Sequence, residues 1–157
     1  MTNLITLTID GQEVTVPQGT TILEAAKQAD IDIPAICYHP HLTANGLCRV
    51  CSVDAGQRVQ VAACVTTCQQ GIDVKTQSDD VVRGRRTILE MLASTVNLEE
   101  APEILALLEE YDAEPARFAG GEKREMPVYD DNPFYIRDYN QCINGWRCVQ
   151  VCAEDAQ

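Results

Sequence analysis

Cysteine is the residue type in this 157-residue chain whose number and spacing could do chemistry. The eight cysteines form two groups, one in the first half of the chain and one near its C-terminal end. They are Cys37, Cys48, Cys51, Cys64 and Cys68, followed by Cys142, Cys148 and Cys152. Thiolates are soft ligands that suit iron–sulfur clusters or zinc rather than magnesium or calcium. Where a compartment keeps thiols reduced, clustered cysteines bind metal or do redox chemistry more often than they form disulfides.

The N-terminal segment indicates the cellular compartment of the protein, and the charge balance limits the kinds of partner that it can bind. Residues 1–16 alternate apolar and polar side chains and show no basic and apolar secretory signal. No run approaches the length of about 18 apolar residues that indicates a membrane span. We therefore expect a cytoplasmic chain. The 24 acidic residues against 12 Lys and Arg give a formal charge of -12, which disfavours nucleic acid and anionic membranes as partners.

The first four cysteines follow the pattern Cys37-x10-Cys48-x2-Cys51-x12-Cys64. Four thiolates are the usual ligand set of a [2Fe-2S] cluster. The two-residue gap lets Cys48 and Cys51 approach one metal centre within a turn, and Gly46 gives the backbone room just before them. These four cysteines are therefore the candidate cofactor and metal ligands, and we predict no catalytic residue.

Other kinds of site stay open on spacing alone. A structural zinc site usually has two paired cysteine or histidine knuckles, whereas this chain has one C-x2-C pair. A Rieske site needs two histidine ligands, and only Cys37-Tyr38-His39 suggests one. A Cys–His hydrolase needs a cysteine paired with a histidine. His39 and His41 both lie in the cysteine loop, where packing beside the ligands is the simpler role.

Short strands and one helix must position the first cysteine group. The strands are predicted at Leu4–Ile9, Glu13–Val16, Val50–Val53, Val59–Ala62 and Ile72–Lys75. Asp10-Gly11 is a two-residue hairpin signal between the first two strands, and Thr20 or Thr21 can cap the helix that follows them. This order of elements indicates an α+β fold of the β-grasp type over residues 1–80.

Two further helices are predicted over residues 81–113. The first runs from about Val81 to Val96, and its apolar face is expected to contain Val81, Ile88, Leu92 and Val96. It also carries the basic cluster Arg83, Arg85 and Arg86. We interpret that cluster as a solvated helix face, with docking of a partner as the alternative. Asn97 and Glu100 have the spacing of a capping box for the second helix, which should end near Tyr111.

Three runs around the cysteines resemble a known ferredoxin-type module. The runs are Ile33–His39 (IPAICYH), Gly46–Cys51 (GLCRVC) and Ala63–Thr66 (ACVT). The module opens the α subunit of NAD-dependent formate dehydrogenases, the diaphorase small subunit of NAD-reducing hydrogenases, iron-only hydrogenases and the large iron–sulfur subunit of respiratory NADH dehydrogenase. The resemblance covers residues 1–97. It implies a [2Fe-2S] cluster held by Cys37, Cys48, Cys51 and Cys64, and it gives Cys68 no role as a ligand.

The C-terminal part departs from that family. Residues 114–133 are predicted to form a linker, and residues 134–157 resemble the start of a two-cluster [4Fe-4S] ferredoxin domain. The family reads C-x2-C-x2-C-x3-C there, but Gly145 stands in place of the second cysteine. The His-x3-Cys-x2-Cys-x5-Cys segment that relatives use for a [4Fe-4S] cluster is also missing. We expect a degenerate or truncated tail: a structural arm, part of a longer protein, or a segment that receives ligands from a partner. A [4Fe-4S] cluster is not expected in this chain alone.

The resemblance implies one-electron transfer through a single [2Fe-2S] cluster in a module of a larger redox complex. That complex would be a formate dehydrogenase, a hydrogenase or an NADH-linked oxidoreductase, and its other subunits would carry flavin, iron–sulfur clusters or a catalytic metal site. The chain contains no G-x-G-x-x-G, Walker A, flavin or molybdenum motif, so we expect no substrate site of its own. The alternative is a non-catalytic assembly or regulatory docking subunit with a vestigial cysteine tail.

Overall fold

The computed structural model describes residues 3–121 and 123–156, which fall into two compact units. The first unit reaches Arg85 and also includes the segment from Gly145 onward, whereas the second runs from Arg86 to Asn144. The strands are β1 (Leu4–Ile9), β2 (Gln12–Pro17), β3 (Ser52–Val53), β4 (Val61–Ala62) and β5 (Asp73–Val74). The α-helices are α1 (Ile22–Gln28), α2 (Asp79–Thr95), α3 (Pro102–Glu110) and α4 (Arg147–Glu154), and a 3-10 turn spans Tyr139–Gln141.

A three-stranded sheet in the order β2-β1-β5 forms the base of the first unit. The predicted hairpin is confirmed: β1 and β2 pair antiparallel, with Ile9 opposite Gln12. Asp10 and Gly11 have φ of 48° and 83°, the left-handed backbone that a tight two-residue turn requires. β5 runs parallel to β1, and the Asp10 carboxylate accepts a hydrogen bond from the Thr76 amide at 2.7 Å, just beyond β5.

Helix α1 is capped at Thr21, one of the two caps that the sequence predicts, and Thr21 forms a capping box with Glu24. The Thr21 hydroxyl accepts from the Glu24 amide at 3.2 Å, and the Glu24 carboxylate accepts from the Thr21 amide at 3.0 Å. The buried face of α1 is Ile22, Leu23, Ala25 and Ala26. It belongs to one apolar cluster with the side chains of both sheets and with Cys51 and Cys64. The predicted α+β, ferredoxin-like fold is thus confirmed.

The strands nearest the cysteines are shorter than predicted. β3 and β4 pair over two residues each, with Ser52 opposite Ala62. Arg49 has φ of 61°, so the chain turns sharply immediately before β3. Val59 is 67% exposed and lies outside β4. The apolar character of these segments reflects packing around the cysteines more than extended sheet.

Helix α2 lies where the sequence predicts a helix, but its buried face was predicted correctly only in part: Val81 and Val96 are buried. The fully buried side chains are Val81, Arg85 and Leu89, which follow each other at intervals of one helical turn. Ile88 and Leu92, expected on this face, are only half-buried. The apolar face was placed incorrectly because a charged residue, Arg85, occupies one of the buried positions of the helix.

The capping box predicted for α3 is wrong. The N-cap residue is Ala101, which has no side-chain capping bond, and Pro102 occupies the first turn. Asn97 instead accepts a hydrogen bond from the Glu99 amide at 3.0 Å, a local turn that ends before the helix begins. Ile104, Leu108 and Tyr111 are buried, as predicted.

Polar contacts tie the remainder of the second unit together. The buried Glu90 carboxylate forms an ion pair with Arg117 at 2.6 Å and accepts from the Glu114 amide at 3.2 Å. Further along, the Arg124 guanidinium donates to the Cys142 carbonyl at 2.8 Å. These contacts hold residues 114–124 of the described chain against their neighbours within this unit.

Candidate metal centre

The loop between α1 and β3 brings three of the candidate cysteines into the first unit. Within it, the Asn45 side chain accepts from the Leu47 amide at 3.1 Å and fixes the approach to Cys48. Gly46 has φ of 64°, and a Cβ atom there would lie 3.1 Å from a methyl group of Val65. Both the turn and the close approach therefore favour glycine, in keeping with the room that the sequence predicts before Cys48.

The structure brings together all four cysteines of the predicted ligand set. The Sγ atoms of Cys51 and Cys64 lie 3.4 Å apart. The Cys48 amide donates to Cys37 Sγ at 3.4 Å, and the Cys37 thiol also hydrogen-bonds with those of Cys48 and Cys64. Cys37, Cys51 and Cys64 are no more than 2% exposed, whereas Cys48 is half-buried. The thiols thus form a contiguous cluster with one edge near the surface.

Backbone N–H groups of the loop point at these sulfurs. The Cys48 amide donates to Cys37, the Leu47 amide lies near the same sulfur while it donates to Asn45, and the Val50 amide lies near Cys48. Amide donors of this kind stabilise negative charge on sulfur and tune the potential of an iron–sulfur cluster. The loop is therefore shaped to receive thiolates rather than neutral thiols.

The thiols divide the available protons unequally because they hydrogen-bond to one another. Hydrogen bonds from Cys48 and Cys64 lower the pKa of the Cys37 thiol to about 2, and that from Cys64 lowers the pKa of Cys51 to about 7. The same contacts raise the pKa values of Cys48 and Cys64 above the ordinary range. Four adjacent thiolates would repel one another, so full ionisation requires a cation at the centre.

The number of thiols brought together bears on the kind of metal centre that they could hold. Within residues 3–121 and 123–156, no three His, Cys, Asp or Glu side chains are placed to hold a single metal ion. A [2Fe-2S] cluster uses four cysteines for two irons, which fits the number of thiols in this cluster. The donor set and its amide contacts therefore fit this group.

The other cysteines and the histidines lie outside that thiol cluster. Cys68 is buried, and burial raises its pKa. Cys148 and Cys152 are exposed on α4, and Cys142 is half-buried in the second unit. The His39 ring nitrogen accepts from the His41 amide at 3.3 Å, a local contact within the loop.

Arg85, which was predicted to lie in a solvated basic cluster, instead contributes to this region. Its guanidinium donates to the carbonyl of Ser52, the residue after Cys51, at 3.0 Å. Arg85 is completely buried, so the predicted solvated basic face is wrong at this position. Arg83 has the expected exposure, and it pairs with Asp80 one turn away. The signal available in the sequence was the spacing of Arg85 one turn after Val81 and one turn before Leu89.

Comparison with known proteins assigns the N-terminal part of the chain to a family. Residues 2–79 match the 2Fe-2S iron–sulfur cluster binding domain, and this part of the chain belongs to that family. The chain is 37% identical over 165 residues to HndD, a subunit of the NADP-reducing hydrogenase of Solidesulfovibrio fructosivorans. It is 45% identical over 93 residues to a subunit of the NADH-quinone oxidoreductase of Streptomyces coelicolor. The resemblance to iron–sulfur subunits of hydrogenases and NADH dehydrogenases is thus confirmed.

A solved structure extends the likeness beyond the matched domain. A chain in the crystal structure of NAD+-reducing [NiFe]-hydrogenase in the H2-reduced state aligns with a TM-score of 0.84 at 30% identity. The alignment covers 95% of the present chain and 66% of that chain.

The curated relatives are much longer proteins. The match to HndD includes 96% of the present chain but only 28% of the length of HndD. For the NADH-quinone oxidoreductase relative from Streptomyces coelicolor the two shares are 57% and 11%. In the part of the chain that the structure describes, no helix has the length and apolar character needed to cross a membrane.

Proposed function

We propose that this chain is a one-electron carrier that holds a single [2Fe-2S] cluster through Cys37, Cys48, Cys51 and Cys64. The observation that carries the proposal is the contiguous cluster of these four thiols, with loop amides directed at the sulfurs. When bound, the cluster supplies reversible one-electron oxidation and reduction. The chain's own residues bind it, keep water from three of its ligands and orient amide donors toward the sulfur.

Electrons enter and leave at the edge of the site marked by Cys48. This is the half-buried ligand, and the neighbouring Leu47 is 53% exposed. A redox group on another protein would approach closest there. The names of the relatives, which are subunits of hydrogenases and NADH oxidoreductases, support a partner that is another subunit of a redox complex. We propose that this partner carries flavin, iron–sulfur clusters or a catalytic metal site. We place the chain in a compartment that keeps thiols reduced.

Iron and sulfide analysis after anaerobic reconstitution tests the proposal. We expect about two irons and two sulfides per chain, visible colour, and an EPR signal that develops only on reduction. Cys48→Ser should lose the cluster, whereas the matched control Cys68→Ser should keep it. Replacing Cys142, Cys148 and Cys152 together by serine should leave the iron content unchanged.

Two outcomes would contradict this assignment. A wild-type chain that stays colourless and takes up no iron would exclude the electron carrier and favour the docking protein. An iron content that falls in the triple tail variant would show that the tail cysteines hold a second cluster.

A further inference from the structure

The C-terminal helix α4 is attached to the first unit in an unusual way. Its one buried side chain is polar: Gln150 is 8% exposed. The apolar side chains of this segment face outward, with Trp146 at 54%, Val149 at 44% and Val151 at 41% exposed. A surface helix is normally held by an apolar face packed on the core. Polar contacts therefore hold α4 in place.

Four hydrogen bonds connect this segment to the cysteine loop. The Gln150 amide donates to the Thr43 carbonyl, and its oxygen accepts from the Asn45 side chain at 3.3 Å. The Asn45 side chain also donates to the Gly145 carbonyl at 3.3 Å. The Thr43 amide donates to the Glu154 carboxylate at 3.0 Å. Both ends of α4 are thus bound to the same short stretch of loop.

That stretch leads directly to the proposed cluster ligands. Asn45, which binds Gln150, also accepts from the Leu47 amide at 3.1 Å. The next residue, Cys48, donates its amide to Cys37 Sγ at 3.4 Å. Hydrogen bonds and the Leu47–Cys48 peptide link therefore connect Gln150 to a sulfur of the site.

We infer that α4 is a polar latch that holds residues 43–48 in the conformation that retains the cluster. The inference rests on the proposed function, and it assigns a role to a tail that has Gly145 in place of a cysteine ligand. Gln150 and Asn45 are positioning residues, since they act on the ligands through the loop. Release of α4 frees the loop at Cys48, where the site is nearest the surface, and speeds cluster loss.

The test compares Gln150→Ala with Val149→Ala in the full cluster-loaded chain. Val149 is the neighbouring residue on α4, and its side chain faces outward. Absorbance records the bleaching of the cluster by an excess of the iron chelator EDTA. We expect Gln150→Ala to bleach about thirtyfold faster than wild type, the factor that corresponds to the loss of two part-buried hydrogen bonds of about 1 kcal/mol each. Val149→Ala should bleach at the wild-type rate. Equal rates for wild type and Gln150→Ala would overturn the latch.

Hydrogen exchange separates this inference from the proposed function. In the chain without iron, Gln150→Ala should raise amide exchange over residues 43–48, whatever the metal chemistry proves to be. If Gln150→Ala loses its helical circular dichroism, Glu154→Ala removes the bond to the Thr43 amide from an exposed position and takes its place. Unchanged exchange in the folded variant would refute the latch even if the cluster assignment holds, and raised exchange in a chain that binds no iron would refute only the cluster.

Discussion

Replacement of Arg85 by methionine tests the energetic role of the buried guanidinium. Arg85 donates to the Ser52 carbonyl at 3.0 Å, and both residues are buried. Methionine fills much of the same volume but cannot donate. The Ser52 carbonyl would lose a partner that water cannot replace, which costs about 1–3 kcal/mol. Removal of a buried charge offsets part of this loss, because the guanidinium no longer has to be desolvated.

We expect Arg85→Met to lower the free energy of unfolding by about 2 kcal/mol, since hydrogen bonds to charged groups contribute about 1.5–3 kcal/mol each. For a chain of this size, that corresponds to a fall in melting temperature of about 4–8 °C. Urea denaturation followed by circular dichroism measures the change. The matched control is Arg83→Met on the same helix, whose exposed ion pair should contribute less than about 1 kcal/mol.

The same variant has a redox consequence in the cluster-loaded protein. A buried positive charge beside Cys51 favours the reduced state, which carries one more negative charge. Arg85→Met should therefore lower the midpoint potential, as measured by an EPR-monitored titration, and Arg83→Met should leave it nearly unchanged. If Arg85→Met is as stable as wild type, the cost of burying the guanidinium outweighs its hydrogen bonds, and the reasoning from Ser52 is refuted.

Two further predictions concern thiol reactivity and pH. At pH 8, iodoacetamide should modify the exposed Cys148 and Cys152 well before Cys68, because burial both shields the Cys68 thiol and raises its pKa. Mass spectrometry of digested samples measures the order of modification. Equal rates for the three cysteines would contradict the burial of Cys68. The Arg137 guanidinium donates to both oxygens of Asp131, at 2.8 and 2.6 Å, and lowers the pKa of that carboxyl below 3.8. The pKa of Asp131 is lower in the folded state than in the unfolded state. The ion pair therefore stabilises the fold fully above the unfolded-state pKa, and this stabilisation is lost as the pH falls through the folded-state pKa. An NMR titration of the Asp131 carboxyl carbon should have its midpoint below 3.8, and Arg137→Gln should return it toward that value.

The sequence predicted the elements whose signals are local. The hairpin at Asp10-Gly11 and the cap at Thr21 depend on turn and capping chemistry within a few residues, and both are present. The capping pattern at Asn97 was equally local, but the Asn97 side chain accepts from the Glu99 amide in a turn that precedes the helix. Spacing suffices to predict caps only where no competing turn satisfies the same side chain.

Features that depend on distant parts of the chain could not be predicted. The bond from Asn45 to Gln150 joins residues about one hundred positions apart, and no periodicity links them. Arg85 was assigned to the surface because charged side chains are rarely buried, yet its acceptor is a backbone carbonyl that the sequence does not reveal. The four cysteines could be predicted to lie together because their spacing depends on one loop and the strands beside it.

The parallel pairing of β1 with β5 has a consequence for folding. Thr8 pairs with Asp73, and all four cysteines of the thiol cluster lie in the chain between them. The hairpin of β1 and β2 can form locally, but β5 can pair with β1 only after a long loop has closed. A contact of such high sequence separation slows folding. A metal centre that crosslinks four points inside this loop would restrict the unfolded chain and lower the entropic barrier to closure.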